Sequence, residues 1–231
     1  MESAEKLVVS PTVPPIAREQ YNKLAATLHQ ARLERDIRVV MVTSAVPGEG
    51  KTFTAANLAL TLSELYRHQV LLIDADLRRP TVHTVFGIAN ERGLSDVLAV
   101  EGPMPLVKLG SCLSLLTAGD SGGNPMKTLI SARMRAFVKE ARTMFDWVVV
   151  DTAPVGLLSD AKLVASTVDL TLLVVLAGKT PYDVVQAAAA SLGPEQIFGV
   201  VLNRVPEAAL PHPYHQGYYV DYCAGRTGTK P

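Results

Sequence analysis

From residue 37 onward the chain alternates short, unbroken apolar runs with longer stretches of helical periodicity. RVVMVT (38–43), VLLID (70–74), LSLLT (113–117), WVVVD (147–151), LTLLVVL (170–176) and FGVVLN (198–203) read as strands. Their apolar positions do not alternate with polar ones, which is the pattern of strands covered on both faces. Between them, TFTAANLALTLSELYRH (52–68), NPMKTLISARMRAFVKEARTM (124–144), SDAKLVAS (159–166) and YDVVQAAAASL (182–192) read as helices. Strand–helix alternation of this kind predicts an α/β fold: a mostly parallel sheet, right-handed crossovers, and helices on both faces. Upstream, residues 16–35 place Ala17, Tyr21, Leu24, Leu28 and Ala31 at steps of four and three. That makes one apolar stripe on a helix, which packs on the main domain by default or alternatively on a neighbouring subunit. AGDSGGNP (118–125) reads as a glycine-rich connection.

Both ends depart from this pattern. Residues 1–15 contain Pro11, Pro14 and Pro15 and are expected to form an extended leader to a domain spanning 16–205. Residues 206–231 hold four prolines, three glycines and almost no large aliphatics after Leu210. Such a segment buries too little apolar surface to offset its ordering entropy, so a mobile tail is expected. Lysine plus arginine equal aspartate plus glutamate at 22 each, so global charge gives no argument for a nucleic-acid partner. Cys112 and Cys223 fit neither a disulfide framework nor a paired metal motif. The longest apolar run is far short of the roughly 20 residues that span a bilayer, so the chain is expected not to cross a membrane by itself.

The chemistry begins where the first strand ends. AVPGEGKT (45–52) has the spacing of a phosphate-binding P-loop, with Ala45 in place of the usual first glycine. Gly48 and Gly50 let several backbone N–H groups turn toward one anion at the start of the 52–68 helix. The nucleotide contacts are expected from Val46, Pro47, Gly48, Glu49, Gly50, Lys51, Thr52 and Phe53, with Lys51 reaching the β- and γ-phosphates and Thr52 ligating Mg²⁺. Two further strands end in acids: Asp74 and Asp76 in VLLIDADLRRP (70–80), and Asp151 in WVVVDTAP (147–154). Strand C-termini in an open α/β sheet face one crevice, so three carboxylates gather near the lysine. Together without a cation they would repel one another, which implies a divalent metal, Mg²⁺, held by Thr52, Asp76 and Asp151.

With these segments in place, the sequence resembles the bacterial tyrosine kinases (BY-kinases) of capsule and exopolysaccharide systems. The resemblance covers roughly residues 16–205, and DADLRRP is its most specific element; GLSDVL (93–98), NPMKTLISARM (124–134) and FDWVVVDTAPV (145–155) also look like that family. It implies a MinD/ParA-type P-loop fold that uses ATP to phosphorylate tyrosines in its own C-terminal tail. Four of the seven tyrosines, Tyr214, Tyr218, Tyr219 and Tyr222, cluster in YHQGYYVDY, an unusual place for a side chain that is normally half buried. They are the expected autophosphorylation sites, modified between molecules. In this reading Lys51 carries the developing phosphoryl charge, Asp74 orients and deprotonates the incoming tyrosine, and Asp76 supports metal or base; the last two roles can be exchanged. Asn203 has two readings, a contact to the adenine or a turn former.

The resemblance also implies partners. Related kinases form rings, and the 16–35 helix is similar to the family's oligomerisation segment, of the form Glu-x-x-Arg-x-x-Asn. Glu19 fits, while Asn22 stands where arginine is expected and Ala25 where asparagine is. Arg78, Arg79 and His83 serve either that interface or a solvated basic turn. The split form of these kinases implies a separate transmembrane activator of the polysaccharide co-polymerase kind, a cognate phosphotyrosine phosphatase, and a cytoplasmic site at the inner face of the membrane. Two alternatives remain: a positioning ATPase of the MinD/ParA kind, although Val46 occupies the place of its extra P-loop lysine, and a nucleotide-binding regulator without catalysis.

Overall fold

The computed structural model describes residues 4–100, 102–120, 125–156 and 160–206. The tail and its four tyrosines therefore lie outside the described residues. Seven strands form one sheet: β1 (Val39–Ser44), β2 (Val70–Asp74), β3 (Val107–Lys108), β4 (Leu113–Leu116), β5 (Trp147–Asp151), β6 (Leu170–Leu176) and β7 (Ile197–Asn203), in the order β3-β4-β2-β5-β1-β6-β7. Every pairing is parallel except the two-residue edge strand β3, which runs antiparallel to β4. The helices are α1 (Pro15–Arg35), α2 (Lys51–Leu65), α3 (Val82–Phe86), α4 (Leu94–Ala99), α5 (Pro125–Ile130), α6 (Ala132–Met144), α7 (Asp160–Ala165) and α8 (Tyr182–Leu192).

Two apolar layers hold the helices to the sheet. One face of β1, β2 and β5 (Met41, Ile73, Val150) packs with Leu94, Leu129, Met134 and Phe137 from α4, α5 and α6. The other face (Val40, Leu72, Val149) packs with Leu28, Ala55, Leu58 and Leu62 from α1 and α2. The central strands are buried at every position, as their unbroken apolar runs require. β7 departs from that expectation: Val200 and Leu202 are exposed, because it is an edge strand.

The α1 stripe packs on α2 through Leu28 and Ala31, with Leu24 partly buried beside them and Ala25, outside the expected stripe, buried as well. The leader, by contrast, is not extended over residues 4–14. A 3₁₀ turn at Ala4–Lys6 and further turns fold it back, burying Leu7 and Val13. Asn57 of α2 fixes it, accepting from Val8 N–H (2.8 Å) and donating to the Lys6 carbonyl (3.2 Å). The 124–144 segment is two helices rather than one. Ser131 caps the second, its hydroxyl oxygen accepting from Met134 N–H at 3.2 Å. Among the described residues no helix is long and apolar enough to cross a membrane.

Candidate active site

β2, β5 and β1 are consecutive and parallel, so their C-terminal ends lie side by side, with Asp74 directly opposite Asp151 in the β2–β5 register. The P-loop follows β1. Gly48 and Gly50 have φ of 85° and 93°, in the left-handed region that favours glycine. Ala45 needs no such freedom; its φ is not positive, and its methyl is buried in the core beneath the loop. Among the described residues, the N–H groups of residues 48–53 have no protein acceptor, while Val46 N–H donates to the Glu49 side chain at 2.8 Å. The free run at the start of α2 is an anion cradle. A Cβ at Gly50 would stand 2.0 Å from Asn203 Nδ2. Gly50→Ala adds that clash to a strained φ, costing about 1–3 kcal/mol, and titration of MgADP is expected to show at least ~10-fold weaker binding for this variant.

The side chains expected at the crevice are brought together. Lys51 Nζ lies 2.9 Å from Asp76 Oδ2 and 3.6 Å from Asp151 Oδ2. Thr52 Oγ1 donates to Asp151 Oδ2 at 2.7 Å and lies 3.0 Å from Thr81 Oγ1. Asp74 sits deeper: Oδ2 accepts from Thr81 and Val82 N–H, each at 3.0 Å, and Oδ1 from Asp76 N–H at 3.2 Å. Asp74 thus also braces the 75–81 loop that carries Asp76.

Burial and mutual charge set the electrostatics. Burial, reinforced by the Asp151 charge, pushes Asp74 up to about 7, against the Val82 N–H and the Lys51 ammonium. Burial likewise raises Asp151 to about 6, with Lys51 and the Thr52 hydroxyl opposing. For Lys51, burial pulls downward, but Asp151, Asp76 and Asp74 outweigh it and hold the ammonium above its ordinary value. One cation among three acids is an under-neutralised site.

A divalent cation fits that deficit. Asp151 Oδ1 is buried without a hydrogen-bond partner, and the Thr52 hydroxyl and the Asp76 carboxylate stand beside the same lysine. Among the described residues no three His, Cys, Asp or Glu side chains form a closed metal cage. Mg²⁺ suits such a site, since it is held by one or two carboxylates and completes its shell with other oxygen donors, phosphate and water.

Other expected residues have different placements. Asn203 braces the loop: Nδ2 donates to the Glu49 carbonyl at 2.7 Å, and Oδ1 accepts from Arg204 N–H. Phe53 packs in the α1–α2 layer, with the Lys6 ammonium 5.7 Å from its ring centroid. Arg78 is held within the chain by Asp160, Nε at 2.5 Å and Nη2 at 3.3 Å. Arg79 is exposed, and His83 Nε2 lies 3.2 Å from Thr84 Oγ1. Glu19 accepts from Asn22 within α1. Glu19 and Arg78 thus have separate partners within the chain. The sequence reading missed Thr81, Asp160 and Thr180. Only Asp160, in SDAKL ahead of a short helix, carried a local signal, that of an acidic first turn.

Comparison with known proteins agrees with this geometry. Residues 40–218 match the family model of the CobQ/CobB/MinD/ParA nucleotide binding domain. The chain belongs to that family and, within it, to the bacterial tyrosine kinases. It is 36% identical over 205 residues to the tyrosine-protein kinase YwqD of Bacillus subtilis, covering 86% of each protein. It is also 36% identical over 202 residues to the tyrosine-protein kinase etk of Escherichia coli K12, but spans only 27% of that protein's length. The solved kinase domain of the latter superposes with a TM-score of 0.79 at 34% identity, over 85% of this chain and 78% of the other. The chimerical protein CapA2B2 superposes with a TM-score of 0.81 at 26% identity, over 90% and 92%.

Proposed function

We propose that this chain is an ATP-dependent protein-tyrosine autokinase whose acceptors are Tyr214, Tyr218, Tyr219 and Tyr222, modified by a neighbouring copy. The observation that carries the reading is the Lys51–Asp76–Asp151–Thr52 cluster at the foot of an open P-loop, in a chain 36% identical to a named tyrosine kinase over most of its length. Phosphoryl transfer asks the protein for positioning and charge neutralisation more than for covalent chemistry. The free N–H groups of residues 48–53 and the Lys51 ammonium bind the β- and γ-phosphates of ATP. Thr52, Asp151 and Asp76 would hold Mg²⁺, which neutralises phosphate charge when bound. Asp74, whose carboxyl burial holds above the usual carboxylate range in the metal-free site, is the base in this reading, accepting the phenolic proton as the acceptor oxygen meets the γ-phosphorus and ADP departs. A role for Asn203 beside the adenine is compatible with its place at the loop, since its amide has a second N–H to offer.

The biological setting follows from relatedness: a homo-oligomer in which one tail enters the next subunit's crevice, a transmembrane activator at the inner face of the membrane, a phosphatase that resets the tail, and control of polysaccharide polymerisation or export. Each phosphate adds about −1.5 to −2 charge, so a heavily modified tail is repelled by a carboxylate-lined crevice and leaves it, loosening the assembly. Light scattering before and after complete phosphorylation tests this; an unchanged particle size overturns it.

The acceptor assignment is tested by incubating the intact chain with MgATP and mapping phosphotyrosine by mass spectrometry. Label is expected on the four tail positions, and changing all four to phenylalanine is expected to remove most of it. Among the described tyrosines Tyr182 is 79% exposed, whereas Tyr21 and Tyr66 are half-buried. Label confined to Tyr182 would overturn the tail assignment. ATP hydrolysis with no phosphotyrosine would favour the positioning-ATPase reading instead, and nucleotide binding without turnover the regulator.

A further inference from the structure

Glu49 occupies a position that the P-loop spacing leaves unspecified, yet its side chain is almost sealed from solvent, at 1% exposure. Glutamate is rarely buried so deeply without partners, and here it has three. Oε2 accepts from Val46 N–H at 2.8 Å; Oε1 accepts from Leu176 N–H at 3.0 Å and from the Thr180 hydroxyl. All three are donors, so both oxygens act only as acceptors, which is what an ionised carboxylate provides. The two far partners lie at the end of β6 and in the turn before α8, 127 and 131 positions away in sequence. The Glu49 carbonyl is clasped as well, by Asn203 Nδ2 at the end of β7.

We infer that Glu49 is a positioning residue for nucleotide binding: its carboxylate latches the phosphate loop to the β6 end and the 177–181 turn, setting which loop amides face the phosphates. By taking Val46 N–H for itself, it leaves the contiguous run of residues 48–53 to the anion. The loop is thereby anchored on two sides, through its side chain to β6 and through its carbonyl to β7. A ligand then meets an arranged cradle and has less backbone to order on binding.

The inference deepens the kinase reading above and rests on it only for its catalytic readout. Glutamine at position 49 keeps the shape but not the chemistry. Its oxygen serves either Val46 or Leu176, and its amide nitrogen then faces the other backbone N–H, donor against donor. In the full-length chain, Glu49→Gln is expected to weaken MgADP binding roughly tenfold and to raise the KM for ATP by the same factor, the order expected for one stranded buried donor. The kcat at saturating ATP is expected to stay within about twofold, because the latch shapes binding and not the transferring group. Thr180→Val removes only the hydroxyl donor and is expected to weaken MgADP binding about threefold, while Thr180→Ser, which restores it, binds as the parent does.

MgADP affinity is read by titration with a fluorescent ADP analogue, and KM and kcat from phosphotyrosine formation. Parental MgADP affinity in Glu49→Gln, or no recovery in Thr180→Ser, overturns the latch. A kcat loss with unchanged KM also overturns it, since that places Glu49 in the chemical step. Should Glu49→Gln fail to fold, the two Thr180 variants decide alone. If the parent binds MgADP but makes no phosphotyrosine, the kinase reading fails, and the binding comparison still judges the latch.

Discussion

Lys51→Met is expected to reduce phosphotyrosine formation by roughly 10³-fold, measured as initial rate with saturating MgATP. Lys51 is the cation that the cluster places at the foot of the phosphate cradle, and it is buried, where charge acts through little water. Removing one preorganised donor to developing charge typically costs about 10²–10³ in rate, and here the lost group also carries the full positive charge. The substitution has a second consequence that a surface lysine would not show. Asp74 and Asp151 lose the ammonium that opposes their burial, so both become harder to ionise. The metal-free variant is therefore expected to be less stable than the parent at pH 7.5, with the gap narrowing toward pH 5.5 as the acids take up protons. Labelling at the parental rate would remove Lys51 from the mechanism, and a pH-independent stability gap would remove it from the acid cluster.

Much of this site is legible in the sequence because its parts are local. A P-loop is eight adjacent residues whose glycines and lysine act through the backbone they sit in. Asp74, Asp76 and Asp151 announce themselves by ending unbroken apolar runs, and parallel strands do the rest by bringing equivalent ends together. The central strands are equally plain, since burial on both faces leaves no polar interruption in VVMVTS, VLLID or WVVVD.

What escapes is whatever depends on a distant partner or on too few residues to show a period. β3 is two residues long, and α3 and α4 are five and six, shorter than the window in which a helical stripe can be recognised. The leader reads as extended because its prolines are visible, while the Asn57 amide that folds it back is 49 positions from Val8. Ser131 divides the 124–144 segment through a cap that competes with an otherwise continuous helical pattern. Glu49 reads as one more loop contact to the nucleotide, because two of its three donors, Leu176 and Thr180, lie 127 and 131 positions away. Arg78 reads as an interface residue or part of a solvated basic turn because Asp160 lies 82 positions on.

The second large effect concerns Asp151. In the metal- and nucleotide-free protein its carboxylate sits near 6 and that of Asp74 near 7, both above their unfolded value of 3.8. A folded state with raised carboxylates binds more protons than the unfolded chain between about pH 4 and 7. The acids' contribution to stability is therefore greatest at the low end of that window and declines as pH rises through it. His68 works the other way: burial, aided by Arg32, lowers it below 6.5, so its contribution grows as pH rises through that value. Asp36 and Asp146 are lowered from 3.8, and their contribution is lost only below that value, outside the window. Asp151→Asn isolates the acid term. It removes one raised group and, with it, the charge that stands second only to burial in raising Asp74. The variant is expected to melt several degrees higher than the parent at pH 7.5 and to show little difference at pH 5; about 1 kcal/mol moves a domain of this size by roughly 2–4 °C. Activity should move in the opposite direction, with phosphotyrosine formation down by about 10²-fold or more and MgADP giving a smaller thermal shift than in the parent, because Asp151 holds Thr52 and offers the unpaired oxygen. A variant that melts lower than the parent at pH 7.5 would show the carboxylate to be a structural strut, whereas a gain in stability with loss of activity is the mark of a strained site kept for its chemistry.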